Sequence, residues 1–306
     1  MEYDVIIIGG GPAGLSAAVY CRRYGLKTAV FERGNWGGAI CQTDEVENYP
    51  AVLHITGPEL GKVLTEQAKS FDAELLTCFV DGISIDGKYK VVSTSKGTYR
   101  AKTIILATGA EFSRLGCAGE MEYLGRGVSY CATCDGPFAQ DCEVAVVGGG
   151  NTAVEEACYL TKFAKKVYII HRRDTFRAAP IAVNRLNHNS KIVPIYDTVL
   201  TSICGDGDLV NKIVLKNVKD GKISELPVEF AFIFIGSHPN NQLVKSLVKC
   251  AETGGWVETD ASLSTSEPGI YAAGDLRNTP LRQVVTATSD GAIAANSAYK
   301  YINENF

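Results

Sequence analysis

The 306-residue chain has no excess of positive charge and no long apolar run. Its formal net charge of −4 argues against a nucleic-acid-binding protein, because such proteins usually carry a basic face. The apolar run at residues 5–8 is too short to span a bilayer, and the preceding residues Glu2 and Asp4 are atypical of a signal peptide. We therefore expect neither nucleic acid nor a membrane as a partner.

Paired metal ligands are also scarce. The four histidines form no metal-binding spacing, and of the ten cysteines only Cys131 and Cys134 stand close together, so we expect no metal site. Without a secretory signal, these thiols predict a reducing, cytoplasmic location. The other eight stand singly, and we expect most of them to be buried structural thiols: Cys21, Cys41, Cys78, Cys117, Cys142, Cys158, Cys204 and Cys250.

A first nucleotide-binding pattern opens the chain. Residues 4–8 form a predicted buried strand, a helix covers 15–23, and a second strand over 28–31 ends at Glu32. Strand, glycine-rich turn, helix and terminal acid are typical of a dinucleotide-binding βαβ unit, whose helix N-terminus favours a pyrophosphate. The predicted loop residues are Gly9, Gly11, Pro12, Ala13 and Gly14.

The same pattern returns at residues 144–171. A strand over 144–147 precedes a glycine loop, a helix to about 163 and a strand over 167–170 that ends at His171. Gly148 and His171 are 23 residues apart, as are Gly9 and Glu32, so the two units are in register. The second loop contains Gly148, Gly150, Asn151, Thr152 and Ala153.

The residues at the ribose position differ between the two units. The carboxylate of Glu32 accepts hydrogen bonds from ribose hydroxyls and repels a 2′-phosphate. The second unit ends in His171, followed by Arg172 and Arg173 and then Arg177, whose guanidinium groups suit a 2′-phosphate and favour NADPH. Alternatively, these arginines are solvent-exposed residues at the start of a helix and bind no phosphate.

Two later segments complete a predicted FAD domain. A buried strand over 103–106 leads into Ala107, Thr108 and Gly109, and a strand ending near 273 leads into Gly274 and Asp275. A long helix follows over 281–301. Asp275 also fits a turn or helix cap. We expect an α/β protein of two Rossmann-like, three-layer domains, with an NADPH domain (112–239) inserted into an FAD domain (1–111 and 240–306).

A possible redox centre lies just before the second nucleotide loop. Cys131 and Cys134 form a C-x-x-C that can close a small disulfide ring, and a helix start there would stabilise a thiolate. Asp135 is next to the pair and is a candidate for proton transfer. Half of a zinc site and a coincidence of spacing are the alternatives. The residue five positions after Cys41 is Val46 and not a second cysteine. This excludes the branch of flavin disulfide reductases that carries a C-x4-C beside the flavin.

Together these motifs resemble the low-molecular-weight, bacterial-type thioredoxin reductases over essentially the whole chain. The resemblance implies that Asn48, Asp275, Arg282 and Gln283 contribute to the FAD site. It further implies that Cys134 contacts the flavin, that Cys131 attacks the thioredoxin disulfide and that Asp135 acts as general acid. Family members are homodimers whose NADPH domain rotates, since nicotinamide and dithiol need the same flavin face.

Two positions depart from the family pattern. The family often has Gln-Leu where this chain has Ala39 and Ile40, and Ala-Gly where it has Thr288 and Ser289. We expect both departures to alter local flavin contacts and not the fold.

Other functions fit the sequence less well. A ferredoxin-dependent thioredoxin reductase would lack the second nucleotide motif, and an NADPH reductase of another small dithiol protein differs only in its acceptor. The flavoprotein of alkyl hydroperoxide reductase carries an additional N-terminal dithiol domain, and the related ferredoxin–NADP reductases lack the dithiol. A redox-sensing nucleotide-binding protein has no need for two dinucleotide sites feeding one dithiol.

Overall fold

A computed structural model describes residues 2–43 and 45–306 of the chain. The helices are α1 (Pro12–Arg23), α2 (Gly57–Ser70), α3 (Ala132–Asp135), α4 (Asn151–Leu160), α5 (Pro180–Asn187) and α6 (Val284–Asn305). The strands are β1 (Glu2–Ile8), β2 (Thr28–Glu32), β3 (Glu74–Thr77), β4 (Val80–Asp86), β5 (Tyr89–Thr94), β6 (Gly97–Leu106), β7 (Ala110–Phe112), β8 (Val128–Ser129), β9 (Glu143–Gly148), β10 (Lys166–Ile170), β11 (Ile192–Ile195), β12 (Thr198–Gly205), β13 (Val210–Asn217), β14 (Ile223–Pro227), β15 (Phe230–Phe234), β16 (Ser237–Pro239) and β17 (Ile270–Ala272).

The chain divides into two compact units. One contains the residues up to Glu111 together with His238–Phe306, and the other is Phe112–Ser237. The chain passes from one to the other through β7 and back through β16, and these two short strands pair with each other.

The first unit is built on a mixed sheet. Its strand order is β3-β2-β1-β6-β5-β4. Strand β17 also pairs with β6, along residues 104–106, whereas β5 pairs with residues 97–101 of the same strand. Strands β3, β2, β1, β6 and β17 are parallel, whereas β4 and β5 form an antiparallel hairpin on β6. The carboxyl ends of parallel strands share one edge of a sheet, which is where ligands bind in open α/β folds.

Both faces of this sheet are covered by apolar groups. Val5 and Ile7 of β1 pack with the residues of α1, α2 and α6, whereas Ile6 and Ile8 pack on the opposite face with β4 and β5. A strand buried on both faces is apolar at successive positions and not only at alternate ones. This explains why residues 5–8 read as an unbroken apolar run.

The second unit has three layers. Its parallel sheet has the order β11-β10-β9-β15-β8, and a separate antiparallel sheet has the order β12-β13-β14. Val144 and Val146 face a core formed with α4, and Ala145 and Val147 face a core formed with the antiparallel sheet. The predicted α/β class, with two Rossmann-like units and one inserted in the other, is confirmed.

The predicted bounds of three helices were wrong. Helix α1 begins at Pro12 and not at 15, because proline fits the first helical turn. Helix α4 ends at Leu160 and not near 163, since the Phe163 and Ala164 amides both donate to the Leu160 carbonyl and close a turn. Helix α6 covers Val284–Asn305 and not 281–301, because Gln283 is extended and caps it.

The prediction that most of the single cysteines are buried was wrong. All eight are free thiols, but only Cys21 and Cys78 are buried, and the other six are half-buried. Several of those six lie in connections or at element ends, as Cys117, Cys142 and Cys250 do, where the packing around a side chain is incomplete.

Candidate functional site

The glycine loop after β1 is shaped by close backbone contacts. A Cβ at Gly9 would lie 2.2 Å from the Ala107 carbonyl oxygen, and a Cβ at Gly14 would lie 1.9 Å from the Gly9 carbonyl oxygen. Glycine is therefore required at both positions. A Cβ at Gly11 would meet no heavy atom closer than 3.9 Å. The loop thus has one packed side and one open side.

The helices that follow the two glycine loops both begin without a side-chain cap. In the described residues, neither Gly11 before α1 nor Gly150 before α4 is accompanied by a side-chain cap hydrogen bond. The first-turn amides, among them those of Ala13 and Thr152, have no partner within their own helix. Unpaired amides at a glycine-rich helix start fit the pyrophosphate of a dinucleotide.

Glu32 lies at the end of β2, beneath the first loop. One carboxylate oxygen accepts a hydrogen bond from the Gly10 amide at 2.7 Å, and the other accepts from the amides of Gly34 and Asn35 at 2.9 and 3.2 Å. The residue is only 9% exposed. A carboxylate has about four acceptor positions, so roughly one remains for a ligand hydroxyl. Glu32 therefore organises the loop in addition to its predicted ribose role.

Two further predicted segments meet the first loop at the same sheet edge. Ala107, Thr108 and Gly109 follow β6, and the Ala273 amide donates to the Leu106 carbonyl at 2.9 Å. The Thr108 hydroxyl donates to the Asn240 carbonyl at 2.7 Å, and the Asn240 side chain donates back to the Thr108 carbonyl at 3.0 Å. This mutual pair of bonds fixes the turn after β6.

Asp275 follows β17, next to Gly274 at the same edge. Burial raises the pKa of its carboxyl to about 6. The Arg282 cation lowers this pKa, and the Asp290 carboxylate raises it further. A half-buried carboxylate with a raised pKa beside a cation is typical of a ligand-binding edge.

Sequence reasoning missed a buried ion pair that supports this edge. Arg277 donates to both oxygens of Asp290, from Nε at 2.6 Å and from Nη2 at 3.1 Å. The same carboxylate accepts from the Gly274 amide at 3.0 Å and is 6% exposed. The only sequence signal was the Asp-Gly at 290–291, where Gly291 lets α6 approach α1: a Cβ there would lie 2.2 Å from the Ala13 carbonyl oxygen.

Asn48 and Gln283, which are 235 positions apart, are brought into contact. The Asn48 side-chain amide donates to the Gln283 side-chain oxygen at 3.2 Å. Gln283 is also the N-cap of α6, where its backbone amide donates to the Thr286 hydroxyl at 3.1 Å. This contact joins a predicted FAD residue of the N-terminal segment to one of the C-terminal segment. We refer to Asn48 and Gln283, together with Asp275 and Arg282, as the polar edge.

The two departures from the family pattern lie at different places. Ala39 is exposed in a short 3₁₀ helix, Gly38–Gln42, and supplies no polar side-chain atom. The Thr288 carbonyl accepts a hydrogen bond from the Ser16 hydroxyl at 2.7 Å, and its own hydroxyl donates to the Val285 carbonyl. Thr288 thus joins α1 to α6.

The second glycine loop repeats the mechanics of the first. A Cβ at Gly148 would lie 2.3 Å from the Phe234 carbonyl oxygen, and a Cβ at Gly149 would lie 2.2 Å from the His171 ring. The space beside Gly150 is open to at least 4 Å. The segment after β10 is bonded back to this loop, since the Arg177 amide donates to the Gly149 carbonyl at 2.7 Å.

Asn151, predicted as a loop residue, holds the start of α5. Its side-chain oxygen accepts a hydrogen bond from the Ala179 amide at 2.7 Å. Together with the bond from Arg177, this contact fastens the C-terminal end of the basic segment, residues 172–177, to the second loop.

His171 lies beneath the second loop and is 5% exposed. Burial lowers its pKa, and the cations of Arg177, Arg173 and Arg172 lower it further, against a raising effect of a backbone hydrogen bond at Thr175. Its buried Nε2 atom has no hydrogen-bond partner within residues 2–43 and 45–306. A neutral imidazole with an unsatisfied nitrogen fits a ligand hydroxyl or phosphate.

The three arginines of this segment are exposed and make no salt bridge within the described part of the chain. The nearby Asp197 carboxylate is instead paired with Lys219 at 2.7 Å. The guanidinium groups of Arg172, Arg173 and Arg177 are therefore available for an anionic ligand.

The dithiol lies where a helix begins, as predicted. Cys131 is the N-cap of α3 and is joined to Cys134 by a disulfide with a Cα–Cα distance of 5.3 Å. The Cys134 amide donates to the Cys131 sulfur at 3.1 Å. Ser129 braces the pair, accepting from the Cys131 amide and donating to its carbonyl. Both cysteines and Asp135 are half-buried.

A second support precedes the dithiol and was not predicted. The Tyr130 hydroxyl donates to the buried Glu120 carboxylate at 2.7 Å, and the Tyr130 ring stacks on Phe112 with 5.4 Å between centroids. Glu120 also accepts from the amides of Leu115 and Gly116. Burial and this carboxylate raise the pKa of Tyr130 far above its usual value.

Comparisons with known proteins give a consistent result. The family model "Pyridine nucleotide-disulphide oxidoreductase" matches residues 3–291. A thioredoxin reductase of Listeria innocua is 47% identical over 99% of this chain and 94% of its own length, and one of Peptoclostridium litorale is 47% identical over 99% and 98%. The crystal structure of thioredoxin reductase from Streptococcus pyogenes has a TM-score of 0.96, 45% identity and 99% coverage of both chains. No helix in the described residues is long and apolar enough to cross a membrane.

Proposed function

The chain belongs to the pyridine nucleotide-disulphide oxidoreductases and, within them, to the bacterial-type thioredoxin reductases, and we propose that it reduces thioredoxin through Cys131 and Cys134. The observation that carries the proposal is their disulfide at the start of α3, in the unit that also contains the second nucleotide loop. The protein is an NADPH-dependent flavoprotein. When bound, NADPH supplies a hydride to FAD, which passes two electrons to the disulfide.

We assign FAD to the first loop and to the polar edge described above, in a domain comprising 1–111 and 240–306. The support is the open loop with an uncapped helix start, and the convergence of three chain segments on one sheet edge. The assigned residues are Gly9, Gly11, Pro12, Ala13, Gly14, Glu32, Asn48, Ala107, Thr108, Gly109, Gly274, Asp275, Arg282 and Gln283.

We assign NADPH to the second loop and the basic segment, in a domain comprising 112–239. The support is the unsatisfied His171 nitrogen beside three exposed guanidinium groups. The assigned residues are Gly148, Gly150, Asn151, Thr152, Ala153, His171, Arg172, Arg173 and Arg177. A ferredoxin-dependent reductase would not need this basic segment.

In the dithiol cycle, the reduced pair attacks the disulfide of the substrate. The Cys131 thiolate forms a mixed disulfide and releases one substrate sulfur, which takes up a proton. Cys134 then attacks the Cys131 sulfur, which restores the internal disulfide and releases the reduced dithiol substrate. Amide donors at the start of α3 stabilise the thiolate, and Asp135 holds the proton that the leaving sulfur needs.

The partner is a thioredoxin, and the similarity to thioredoxin reductases of other bacteria supports this acceptor. Another small dithiol protein is the second candidate, because the exchange chemistry is the same. We further propose that the enzyme is a cytosolic homodimer, on the basis of the family resemblance and the many free thiols.

The proposal is tested with Cys131→Ser. We expect the variant to bind FAD and to be bleached anaerobically by NADPH, because neither nucleotide site is altered. Its turnover with oxidised thioredoxin should fall by at least about 1000-fold, since the attacking thiol is removed.

Cys142→Ser is the matched control, because Cys142 is also a half-buried thiol of the second unit. It should turn over at the wild-type rate. Retention of thioredoxin-dependent turnover in Cys131→Ser would overturn the assignment of the attacking thiol.

A further inference from the structure

The Arg282 guanidinium lies over the indole ring of Trp256, with 3.7 Å between Cζ and the ring centroid. Its hydrogen bonds are at the long end of the range: Nε donates to the Asp275 carbonyl at 3.5 Å and Nη2 to the Arg277 carbonyl at 3.4 Å. Hydrogen bonds of this length are weak. The aromatic face is therefore a main restraint on the guanidinium.

Trp256 is itself held firmly. A Cβ at Gly254 would lie 2.6 Å from the indole Nε1, so the loop is built around the ring and the positive φ of 83° at this position also requires glycine. The next residue, Val257, is fully buried, donates to the Leu276 carbonyl at 3.2 Å and accepts from the Asn278 amide at 3.0 Å. The backbone next to the indole is thus fixed against residues 276–278, which directly follow Asp275.

Arg282 is not fixed by an ion pair. No salt bridge within the described residues includes it, and the neighbouring Asp290 carboxylate is already bonded to Arg277. The remaining acid beside it, Asp275, is half-buried, and the charge of Arg282 acts on that carboxyl. The position of the Arg282 charge therefore depends on the aromatic face.

We propose that Trp256 is a positioning residue of the flavin site, whose indole holds the Arg282 guanidinium beside Asp275 and thereby retains FAD. The proposal rests on the assignment of Asp275 and Arg282 to FAD made above. A guanidinium that is ordered before the cofactor arrives loses less conformational freedom on binding. Removing the aromatic face therefore weakens FAD retention without removing any group assigned to contact FAD.

The test is the rate of FAD release from diluted holoenzyme, measured as the rise in flavin fluorescence. We expect Trp256→Leu to release FAD about 5- to 30-fold faster, the range of a partly desolvated cation–π contact. Trp256→Phe keeps a ring face and should return to within about threefold of wild type. Phe79→Leu removes an exposed ring of the same unit over which no cation lies in the described part of the chain, and it should not change the rate.

A double-mutant cycle separates positioning from general destabilisation. If Trp256 acts through Arg282, then Trp256→Leu adds nothing in an Arg282→Met background. Independent effects of the two substitutions on the rate of FAD release, or a wild-type rate in Trp256→Leu, would overturn the proposal. Failure of the proposed function is seen separately, as wild-type holoenzyme whose flavin NADPH does not bleach.

Discussion

The two nucleotide-binding units share their backbone mechanics. The first glycine of each motif lies against a carbonyl oxygen at the end of a neighbouring strand: a Cβ at Gly9 would be 2.2 Å from that of Ala107, and a Cβ at Gly148 would be 2.3 Å from that of Phe234. Gly11 of the first motif and Gly150 of the second border open space. Equal spacing in the sequence therefore produces equal loops.

The units differ at the end of the second strand. Glu32 is buried and accepts hydrogen bonds from three amides, so it is part of the fold. Arg172 and Arg173 are exposed and make no salt bridge among the described residues. A built-in carboxylate suits a cofactor that stays bound, and exposed cations suit a nucleotide that must leave after each turnover. On the proposed assignment, each loop accepts a dinucleotide and the terminal side chains select which one.

Within this comparison of the two units, the largest effect is expected from removing the cations of the second unit. In Arg172→Ala with Arg173→Ala, the KM for NADPH should rise on the order of 100-fold, because two charge-assisted phosphate contacts are lost. The KM for NADH should change by less than about threefold, since NADH lacks the 2′-phosphate. Steady-state kinetics with both nucleotides check this prediction.

Arg185→Ala is the matched control for the arginine pair. Arg185 lies in the last turn of α5 in the same unit but outside the basic segment. Equal rises in KM for NADPH and NADH in the double variant would contradict a role of these residues in 2′-phosphate binding.

A smaller effect is expected at the corresponding position of the first unit. Glu32→Gln places an amide NH2 group against backbone donors, so FAD should be released about 30-fold faster, while the KM for NADPH stays unchanged. Glu66→Gln, at an exposed position of α2, serves as control. A shift in NADPH KM with normal FAD retention would reverse the assignment of the two loops.

The smallest predicted effect is a pH dependence confined to the first unit. Burial raises the pKa of Asp275 to about 6, and a hydrogen bond from a cofactor hydroxyl favours its ionised form. FAD affinity is therefore constant above about pH 7 and falls as the pH drops through 6, by about fourfold between pH 8 and 5.5.

Measured FAD release should follow this curve in wild type and be flat in Asp275→Asn. Arg282 and Asp290 act on the Asp275 carboxyl and are unchanged in both proteins. The same pH profile in the two proteins would exclude Asp275 as its source.

The sequence alone predicted what depends on local spacing. The two glycine loops, the strands around them and the position of Cys131 at a helix start follow from short motifs whose backbone geometry is narrow. The charge contrast between Glu32 and Arg172 could be read because both lie 23 or 24 residues after the first glycine of their motif.

The supporting contacts could not be predicted because they depend on how distant segments pack. Arg277 and Asp290 meet only because α6 lies against the turn after β17, and Trp256 meets Arg282 across 26 positions. The additional role of Glu32 as an acceptor for Gly34 and Asn35 depends on the path of a loop without regular periodicity.

The central claim is that electrons pass from NADPH through the Cys131–Cys134 pair to thioredoxin. Its most direct test is nucleotide oxidation by the purified holoenzyme, followed with and without oxidised thioredoxin, with NADPH and NADH in parallel. We predict rapid oxidation only when thioredoxin is present, with a strong preference for NADPH. Flavin bleaching by NADPH without thioredoxin-dependent turnover would contradict the acceptor, and no bleaching by either nucleotide would contradict the second nucleotide site.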